Sequence, residues 1–541
     1  MHRMTRDARG AEVRAPFDGR TWRFKDDRLE LERHDGDRFV RIEPAVGAAR
    51  TYRITRIIGG RTREDFVGLE VGGGSDAPEL VMPVSFVFAT GALRYKGYSV
   101  MLHERPSLRA GPVWSRTCIF CHNTVPEMDR LLESIAPERG RAYQGESVDR
   151  WLPPERRARS RVVDEAGFRR AVAVEVERLG GAPAETADGT TETAARGIDA
   201  IRAKFDGAAL VEEGIGCEAC HGGGRAHAAH PDEHPSFVPR APWLDVALPA
   251  GKAQAANRVC ARCHQVLFSG YPFTWEGARR GPGAGGSHIS SGEARDFLLG
   301  GCSGEMACTT CHDPHGGADG EADKRRWLAS PAGNVVCTTC HRELADRERL
   351  RAHAHHDPGG AAGSCVACHM PRKNMGLDGT LTRYHRISSP TDPARVLGDR
   401  PLECALCHAD QTVGALADAM ERWWPVRFPR SRLEELYGGL GANVMRATLE
   451  RGKPHERVVA MATLGEAHAA DAAPAVAREL LDAYPLVREW AKAALGSMRG
   501  ACEVDLAADD AAIAKQAAVC AGGRIEVPEA VPREHDEDPE D

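Results

Sequence analysis

The sequence predicts a mixed fold in three successive parts: a small β-rich region over 1–100, a loop-rich central region with short helices over 101–410, and an all-α region over 411–523. Three observations predict it. Short apolar runs separated by turn residues fill the first hundred residues. A five-residue motif of Cys and His recurs through the central region, and an Ala- and Leu-rich repeat follows it. The acidic tail, 524–541, is expected to be disordered.

The first hundred residues are expected to form a small sheet. Glycine pairs and Asp-Asp or Asp-Gly dipeptides separate its strand-like runs. Asp35-Gly36 is a hairpin signal, because the short turns of hairpins need positive φ angles that Asp and Gly tolerate. The expected strands span 21–25, 28–33, 38–42, 51–58, 65–71 and 80–88.

Seven copies of Cys-x-x-Cys-His, numbered here as motifs 1 to 7 in chain order, run through the central region. Each is typical of a c-type haem attachment site, in which two thiols bond to the haem and the following His binds its iron. Zinc also takes Cys and His, but zinc sites do not need a His after every second Cys, and all seven copies have one. The predicted attachment cysteines are Cys118 and Cys121, Cys217 and Cys220, Cys260 and Cys263, Cys308 and Cys311, Cys337 and Cys340, Cys365 and Cys368, and Cys404 and Cys407. The predicted proximal iron ligands are His122, His221, His264, His312, His341, His369 and His408. The central region is therefore predicted to be a heptahaem cytochrome c domain, with seven haems c as its cofactors.

Seven haems explain a composition that is poor for an ordinary core, with 6% aromatic residues, 57 Gly and 33 Pro. The flat apolar cofactors do the packing, and loops connect them. First cysteines of motifs 2 to 7 follow one another at intervals of 28 to 48 residues, so neighbouring haems are expected to lie close together. The mild net charge of -7 argues against a general nucleic-acid binder.

The sixth ligand of the haem iron, called the distal ligand, decides whether a haem only passes electrons or also binds a small molecule. Histidines outside the motifs are numerous enough to supply a second imidazole for every haem. The candidate distal ligands are His2, His103, His227, His288, His315, His353, His355, His356 and His385. We interpret His34, His230 and His234 as surface residues, and the triplet around His355 has a second interpretation as a site for another metal.

Cysteine chemistry indicates an exported protein. Covalent haem attachment takes place outside the bacterial cytoplasmic membrane, so a periplasmic or otherwise exported location is expected. Cys502 and Cys520 then either form a disulfide or stay as thiols, and Cys302 is left over. No run approaches the roughly 18 apolar residues of a membrane helix. Residues 1–20 lack a secretory signal, so the native N-terminus is expected to be longer, with room for one more haem.

Three segments resemble exported bacterial multihaem cytochromes: 214–227, 308–316 and 365–371. That superfamily includes nitrifier tetrahaem cytochromes, pentahaem nitrite reductases and octahaem reductases, and the resemblance covers about residues 100–410. It implies electron transfer between respiratory partners and places His227, His315 and His385 where distal ligands often occur. Unlike the nitrite reductases, this chain has no Cys-x-x-Cys-Lys motif.

After motif 7 the sequence pattern Pro-x-x-Arg-x-x-Ala-x-Ala-x-Leu-Gly occurs at 454–465 and again at 485–496. It resembles HEAT repeats, in which stacked helix pairs bury their apolar faces on one another. Its interpretation stays open between a surface for a protein partner and a structural cap. A closing helix is expected within 502–523.

The favoured function is an electron-transfer cytochrome whose partners are a quinol-linked donor and a terminal reductase or other cytochromes. The alternative is a haem oxidoreductase with one open coordination site that acts on nitrite, hydroxylamine or a tetrathionate-type compound. Sequence alone leaves enzyme status undecided, and a HEAT-based scaffold with purely structural haems is the weakest interpretation.

Overall fold

The computed structural model divides into two compact units, and each is described separately. The first takes residues 1–98 and 105–268, and the second takes 99–104 and 269–538. The structure describes residues 4–10, 12–96, 103–104, 107–139, 154–181, 189–204, 210–222, 224–238, 240–248, 251–264, 292–376, 379–499 and 502–522.

An antiparallel sheet of eight strands opens the first unit. Its strands are β1 Thr5–Asp7, β2 Arg20–Phe24, β3 Asp27–His34, β4 Asp37–Glu43, β5 Arg50–Gly59, β6 Arg63–Glu70, β7 Leu80–Val87 and β8 Ala92–Tyr95. Strands β2 to β8 pair in sequence order, and β1 pairs with β5. All six predicted strands are confirmed. The predicted hairpin is confirmed as well, since Asp35 and Gly36 both have positive φ angles, 52° and 88°.

The middle strands of this sheet bury both faces. Successive side chains of a strand point to opposite faces, and neighbours such as Phe66 and Val67 accordingly belong to two different apolar clusters. The Phe66 cluster packs within the sheet region. The Val67 cluster includes Trp114 and the two residues between the cysteines of motif 1, Ile119 and Phe120. The sheet therefore forms one wall of the motif 1 environment.

Short helices and one small strand pair complete the first unit. The helices are α1 Ile119–His122, α2 Glu127–Glu133, α3 Glu165–Arg178, α4 Thr190–Arg202, α5 Arg225–Ala229 and α6 Gly251–Ala261, and strand β9 Arg159–Val162 pairs with β10 Leu244–Ala247. The sequence between motifs 1 and 2 predicts two helices, one that starts at the N-cap candidate Asp164 and ends at Gly180 and one over about 191–205. Helices α3 and α4 confirm both. Asp164 is the N-cap of α3, where its Oδ1 accepts the N–H of Gly167 at 2.9 Å.

The second unit begins with short helices around motifs 4 to 7. These are α7 Glu293–Leu298, α8 Cys308–Cys311, α9 Gly317–Leu328, α10 Val335–Thr338, α11 Arg347–Ala354, α12 Cys365–His369 and α13 Pro393–Gly398. A two-stranded ribbon, β11 Arg372–Met375 and β12 Leu381–Arg383, lies between α12 and α13. The shortness of these helices fits the predicted loop-rich region.

Longer helices and a large apolar core follow motif 7. They are α14 Val413–Trp423, α15 Arg430–Tyr437, α16 Val444–Arg451, α17 Pro454–Glu466, α18 Ala473–Arg478, α19 Pro485–Arg499 and α20 Asp510–Ala521. The two copies of the repeated pattern form α17 and α19, which pack on each other. A Cβ on Gly465 would lie 3.1 Å from Cα of Ala494, so the glycine permits this close approach. The expected closing helix is α20, and a disulfide joins Cys502 to Cys520.

Candidate haem sites

Each haem motif forms a single helical turn. In motifs 1 to 5 and 7 the backbone N–H of the histidine donates to the carbonyl of the first cysteine at 2.9 to 3.2 Å, and motif 6 is the helix α12. Residues i, i+3 and i+4 share one face of a helix. The two cysteines and the histidine of each motif therefore point the same way. None of the fourteen motif cysteines, all of them described, takes part in a disulfide.

The motifs come close to one another within each unit. In the first unit, Sγ of Cys121 lies 3.9 Å from the carbonyl oxygen of Arg262, a residue that stands between the two cysteines of motif 3 in the sequence. The thiol of Cys220 also interacts with both cysteines of motif 3. In the second unit, the thiols of Cys337 and Cys365 form a hydrogen bond that lowers the pKa of Cys365 to about 7. These contacts agree with the expected close spacing of neighbouring sites.

Motifs 6 and 7 are also near each other. Burial raises the pKa of the Cys368 thiol, and the nearby Cys407 of motif 7 and Glu403 raise it further. The leftover thiol, Cys302, has its pKa raised by burial and by its neighbour Cys340. Cys302 therefore lies beside the thiols of motif 5.

Three of the four motif histidines in the second unit face a second histidine. The pairs and the distances between their ring centroids are His312 with His385 at 6.1 Å, His369 with His353 at 5.9 Å, and His408 with His356 at 6.1 Å. An imidazole nitrogen lies about 2 Å from a metal that it binds, with the ring centre about 1 Å behind it, so imidazoles on opposite sides of one iron have centroids about 6 Å apart. The residues present thus fit an iron held between two histidines.

Hydrogen bonds fix the tautomer of several of these rings. Nδ1 of His356 lies 2.7 Å from the carbonyl of Ala354, and Nδ1 of His369 lies 3.0 Å from the carbonyl of Ser388. A carbonyl only accepts, so Nδ1 carries the proton and the lone pair is at Nε2. Metal-binding histidines typically donate a hydrogen bond from the N–H of their second ring nitrogen in this way. His385 follows the same pattern, with Nδ1 2.8 Å from the carbonyl of Arg383.

The remaining distal candidates have other surroundings. His355 packs against both Trp423 and Trp424, with ring centroids 5.1 and 5.3 Å away. His103 packs against the ring of Tyr484 at 4.5 Å. Nδ1 of His227 donates to the carbonyl of Glu233 at 2.9 Å. His315 is exposed, and His2 and His288 lie outside the described residues.

Motif 1 has a charged, buried environment that its sequence did not reveal. Asp65 of β6 is paired with Lys96 at 2.7 Å, and both charges act on the half-buried His122. Burial is the main reason that the pKa of His122 falls to about 4, with Lys96 adding to the effect and Asp65 opposing it. The ring is therefore neutral at physiological pH, the form that binds iron. Tertiary pairing across the sheet brought these residues together.

A second buried ion group lies next to motifs 6 and 7. Glu403 is paired with Lys373 at 3.8 Å and with Arg395 at closer range. Arg395 also donates to the carbonyl of Ser388 at 3.4 Å, the carbonyl that accepts from His369. Lys373, Arg395 and Glu403 are isolated charges in the chain, so no sequence pattern marks them as neighbours of these motifs. They help to hold the motif 6 histidine in its orientation.

One other cluster has the residue types of a metal site. Ligand atoms of Asp399, His455 and Glu456 lie within 4.8 Å of one another, and all three residues are buried. However, Glu456 already accepts from Nε of Arg400 at 3.0 Å and from the N–H of Lys453 at 2.7 Å, as the capping residue of α17. Arg400 and Lys453 balance the two carboxylates, so a divalent cation would bring uncompensated charge. We interpret the cluster as structural.

Comparison with known proteins agrees with this geometry. A family model described as a doubled CXXCH motif matches residues 303–346, which contain motifs 4 and 5. The doubled motif indicates a multihaem c-type cytochrome that binds haem c. No curated protein and no solved structure gives a significant match. None of the helices in the described part of the chain has the length and apolar character needed to span a bilayer.

Proposed function

We propose that the chain holds seven haems c and passes electrons along them between respiratory redox partners. The observation that carries the proposal is the recurrence of facing histidines at 5.9 to 6.1 Å beside motifs 4, 6 and 7. When bound, the haems supply one-electron chemistry, and the protein tunes it through axial ligands, burial and hydrogen bonds. An iron with two histidine ligands has no open position for a substrate, which favours electron transfer over catalysis.

The proposed roles follow from this geometry. The fourteen motif cysteines bind the haems covalently and the seven motif histidines are the proximal ligands. Distal ligands are His385 for motif 4, His353 for motif 6 and His356 for motif 7. We assign no haem to His355, because its ring packs against two tryptophans.

An oxidoreductase with one open haem is the second candidate, and motif 1 is where we place it. Within the described residues, the ring partner of His122 is Trp114, with centroids 6.3 Å apart, and tryptophan does not bind iron. The neighbouring Lys96 and Arg63 add positive charge, which suits a small anion such as nitrite. Lys96 is paired with Asp65, however, so the carrier remains the favoured function.

We also propose an exported location, since c-type cytochromes are typically exported. We further propose that the chain divides into the β-rich, haem and HEAT-like regions predicted above. The HEAT-like region offers a surface for a protein partner. Its two repeated arginines converge on Asp482: Arg457 binds the carboxylate, and Nε of Arg488 donates to the carbonyl at 2.5 Å. Asp482 thus links α17 to α19.

The spin state of the purified full-length protein tests the proposal. Intact mass gives the number of attached haems, and low-temperature EPR separates low-spin haems, which have two strong ligands, from high-spin haems with an open site. Seven haems that are all low-spin agree with the carrier. A high-spin haem that binds nitrite or cyanide would favour the oxidoreductase, and a chain without attached haem would overturn both.

A further inference from the structure

The ring of His312, the proximal histidine of motif 4, is hydrogen-bonded to a carboxylate. Nδ1 of His312 lies 2.7 Å from Oε1 of Glu321, and Oε2 of Glu321 accepts the backbone N–H of Asp313 at 2.9 Å. An ionised carboxylate only accepts, so Nδ1–H is the donor. Because both oxygens bind the same stretch of chain, the negative charge is held in a fixed position against the ring.

Helix α9 carries this carboxylate and is attached to motif 4 at a second point. Lys324, three residues after Glu321, donates from Nζ to the carbonyl of Thr309 at 3.3 Å. Residues three apart lie on one face of a helix, so α9 presents one face to the motif. The contact between Glu321 and His312 is therefore part of a defined interface between α9 and α8.

The other motif histidines of this unit differ. His369 donates to a neutral backbone carbonyl, that of Ser388. In the described part of the second unit, His312 is the motif histidine whose ring is hydrogen-bonded to a carboxylate. A negatively charged group that accepts the hydrogen bond of Nδ1–H makes Nε2 a stronger electron donor than a neutral carbonyl in the same place does.

We propose that Glu321 holds the reduction potential of the haem on motif 4 below the potentials of the haems on motifs 5, 6 and 7. This inference rests on the proposed function, in which His312 is an iron ligand. A stronger donor stabilises ferric over ferrous iron, and hydrogen bonding to the axial ligand is one of the means by which a protein sets a haem potential. Motif 4 then lies at the low-potential end of its unit, where electrons enter.

A redox titration of the full-length holoprotein, followed by its visible spectrum, tests this with the variant Glu321→Gln. Glutamine keeps an acceptor for Nδ1–H but removes the charge. We expect the lowest midpoint potential assigned to this unit to rise by about 59 mV, which corresponds to a tenfold change in the equilibrium constant of a one-electron couple. The matched control is Asp323→Asn, which removes the same charge from the same helix, where Asp323 is exposed and paired with Arg326. The control should leave the midpoint potentials unchanged.

A second pair of variants acts in the opposite direction. Nε of Arg325 lies 3.7 Å from Oε1 of Glu321, so Arg325→Gln strengthens the carboxylate's effect and should lower the same midpoint potential. Its control, Arg326→Gln, removes the charge of a neighbouring, more exposed arginine that pairs with Asp323 instead. This pair decides the question if Glu321→Gln does not take up its haems.

Haem content, measured first by mass, separates the possible failures. Seven attached haems with midpoint potentials that do not move in Glu321→Gln would overturn the inference about Glu321 and leave the proposed function intact. Equal shifts in the variant and its control would also overturn it. Absence of attached haem in the unmodified protein would overturn the proposed function itself.

Discussion

His353 faces His369 with ring centroids 5.9 Å apart and ring planes inclined by 11°. Three residues further on, His356 faces His408 of motif 7 at 6.1 Å. Between them, His355 ends α11 in the left-handed conformation, with φ 56°. With this change in backbone direction, two histidines three residues apart face the histidines of two different motifs. The segment 353–356 thereby links motif 6 to motif 7.

Removing either outer histidine of this segment should open one haem. We expect His353→Ala and His356→Ala each to convert one low-spin haem into a high-spin haem, because the iron loses its second imidazole. EPR and cyanide binding measure the change. The control is His355→Asn, since asparagine tolerates the left-handed conformation, and its spectrum should stay low-spin. An unchanged spectrum in His353→Ala would exclude His353 as a ligand.

Replacing both cysteines of one motif should remove one haem. In Cys308→Ala/Cys311→Ala we expect an intact mass with six attached haems, because both covalent bonds of motif 4 are lost. Cys302→Ala is the matched control, and it should keep all seven because Cys302 belongs to no motif. Bound zinc in place of haem, found by metal analysis of the unmodified protein, would contradict the assignment.

Stability of the sheet should depend on the pair formed by Asp65 and Lys96. Burial opposes ionisation of Asp65, but Lys96 and Arg63 outweigh it and hold the pKa of Asp65 well below its ordinary value. Lys96→Met leaves that carboxylate buried without its closest cation and should lower the free energy of unfolding by about 3–5 kcal/mol at pH 7. Urea denaturation followed by circular dichroism measures the loss.

The pH dependence has a definite sign. A carboxyl with a lowered pKa adds stability above its unfolded pKa of about 3.9, and that contribution disappears as the pH falls through the folded pKa. We expect Asp65→Asn to be less stable than the unmodified protein at pH 7, with the difference shrinking below about pH 4. Asp76→Asn, in an exposed loop, is the control and should show no such trend. A difference independent of pH would count against ionisation of Asp65.

Loss of the disulfide should loosen the C-terminal helix. Cys502 and Cys520 are separated by 18 residues, and closing a loop of that length stabilises a fold by about 3 kcal/mol. Cys502→Ser/Cys520→Ser should therefore melt at a lower temperature, and the reductant that lowers the melting temperature of the unmodified protein should have no effect on the variant. Its EPR spectrum should not change, since no motif lies in α20. Equal melting temperatures would show that the bond adds nothing.

Local patterns predicted much of this protein. The strands of the sheet, the N-cap of α3 and the attachment motifs depend on residues that are neighbours in the chain, such as Asp35 with Gly36 or Cys308 with His312. The 31-residue repeat predicted α17 and α19 for the same reason. The sequence alone thus determined where haem is expected to attach.

Tertiary structure decided which residues meet at each site. His312 and His385 are 73 positions apart, and only the folding of the second unit places their rings 6.1 Å from each other. No sequence pattern singles out Glu321, Lys96 or Arg395, because hydrogen-bond partners across a fold leave no periodic trace in a sequence. Attachment needs only the spacing within one motif, whereas distal ligation and the tuning of each iron depend on distances between separate elements.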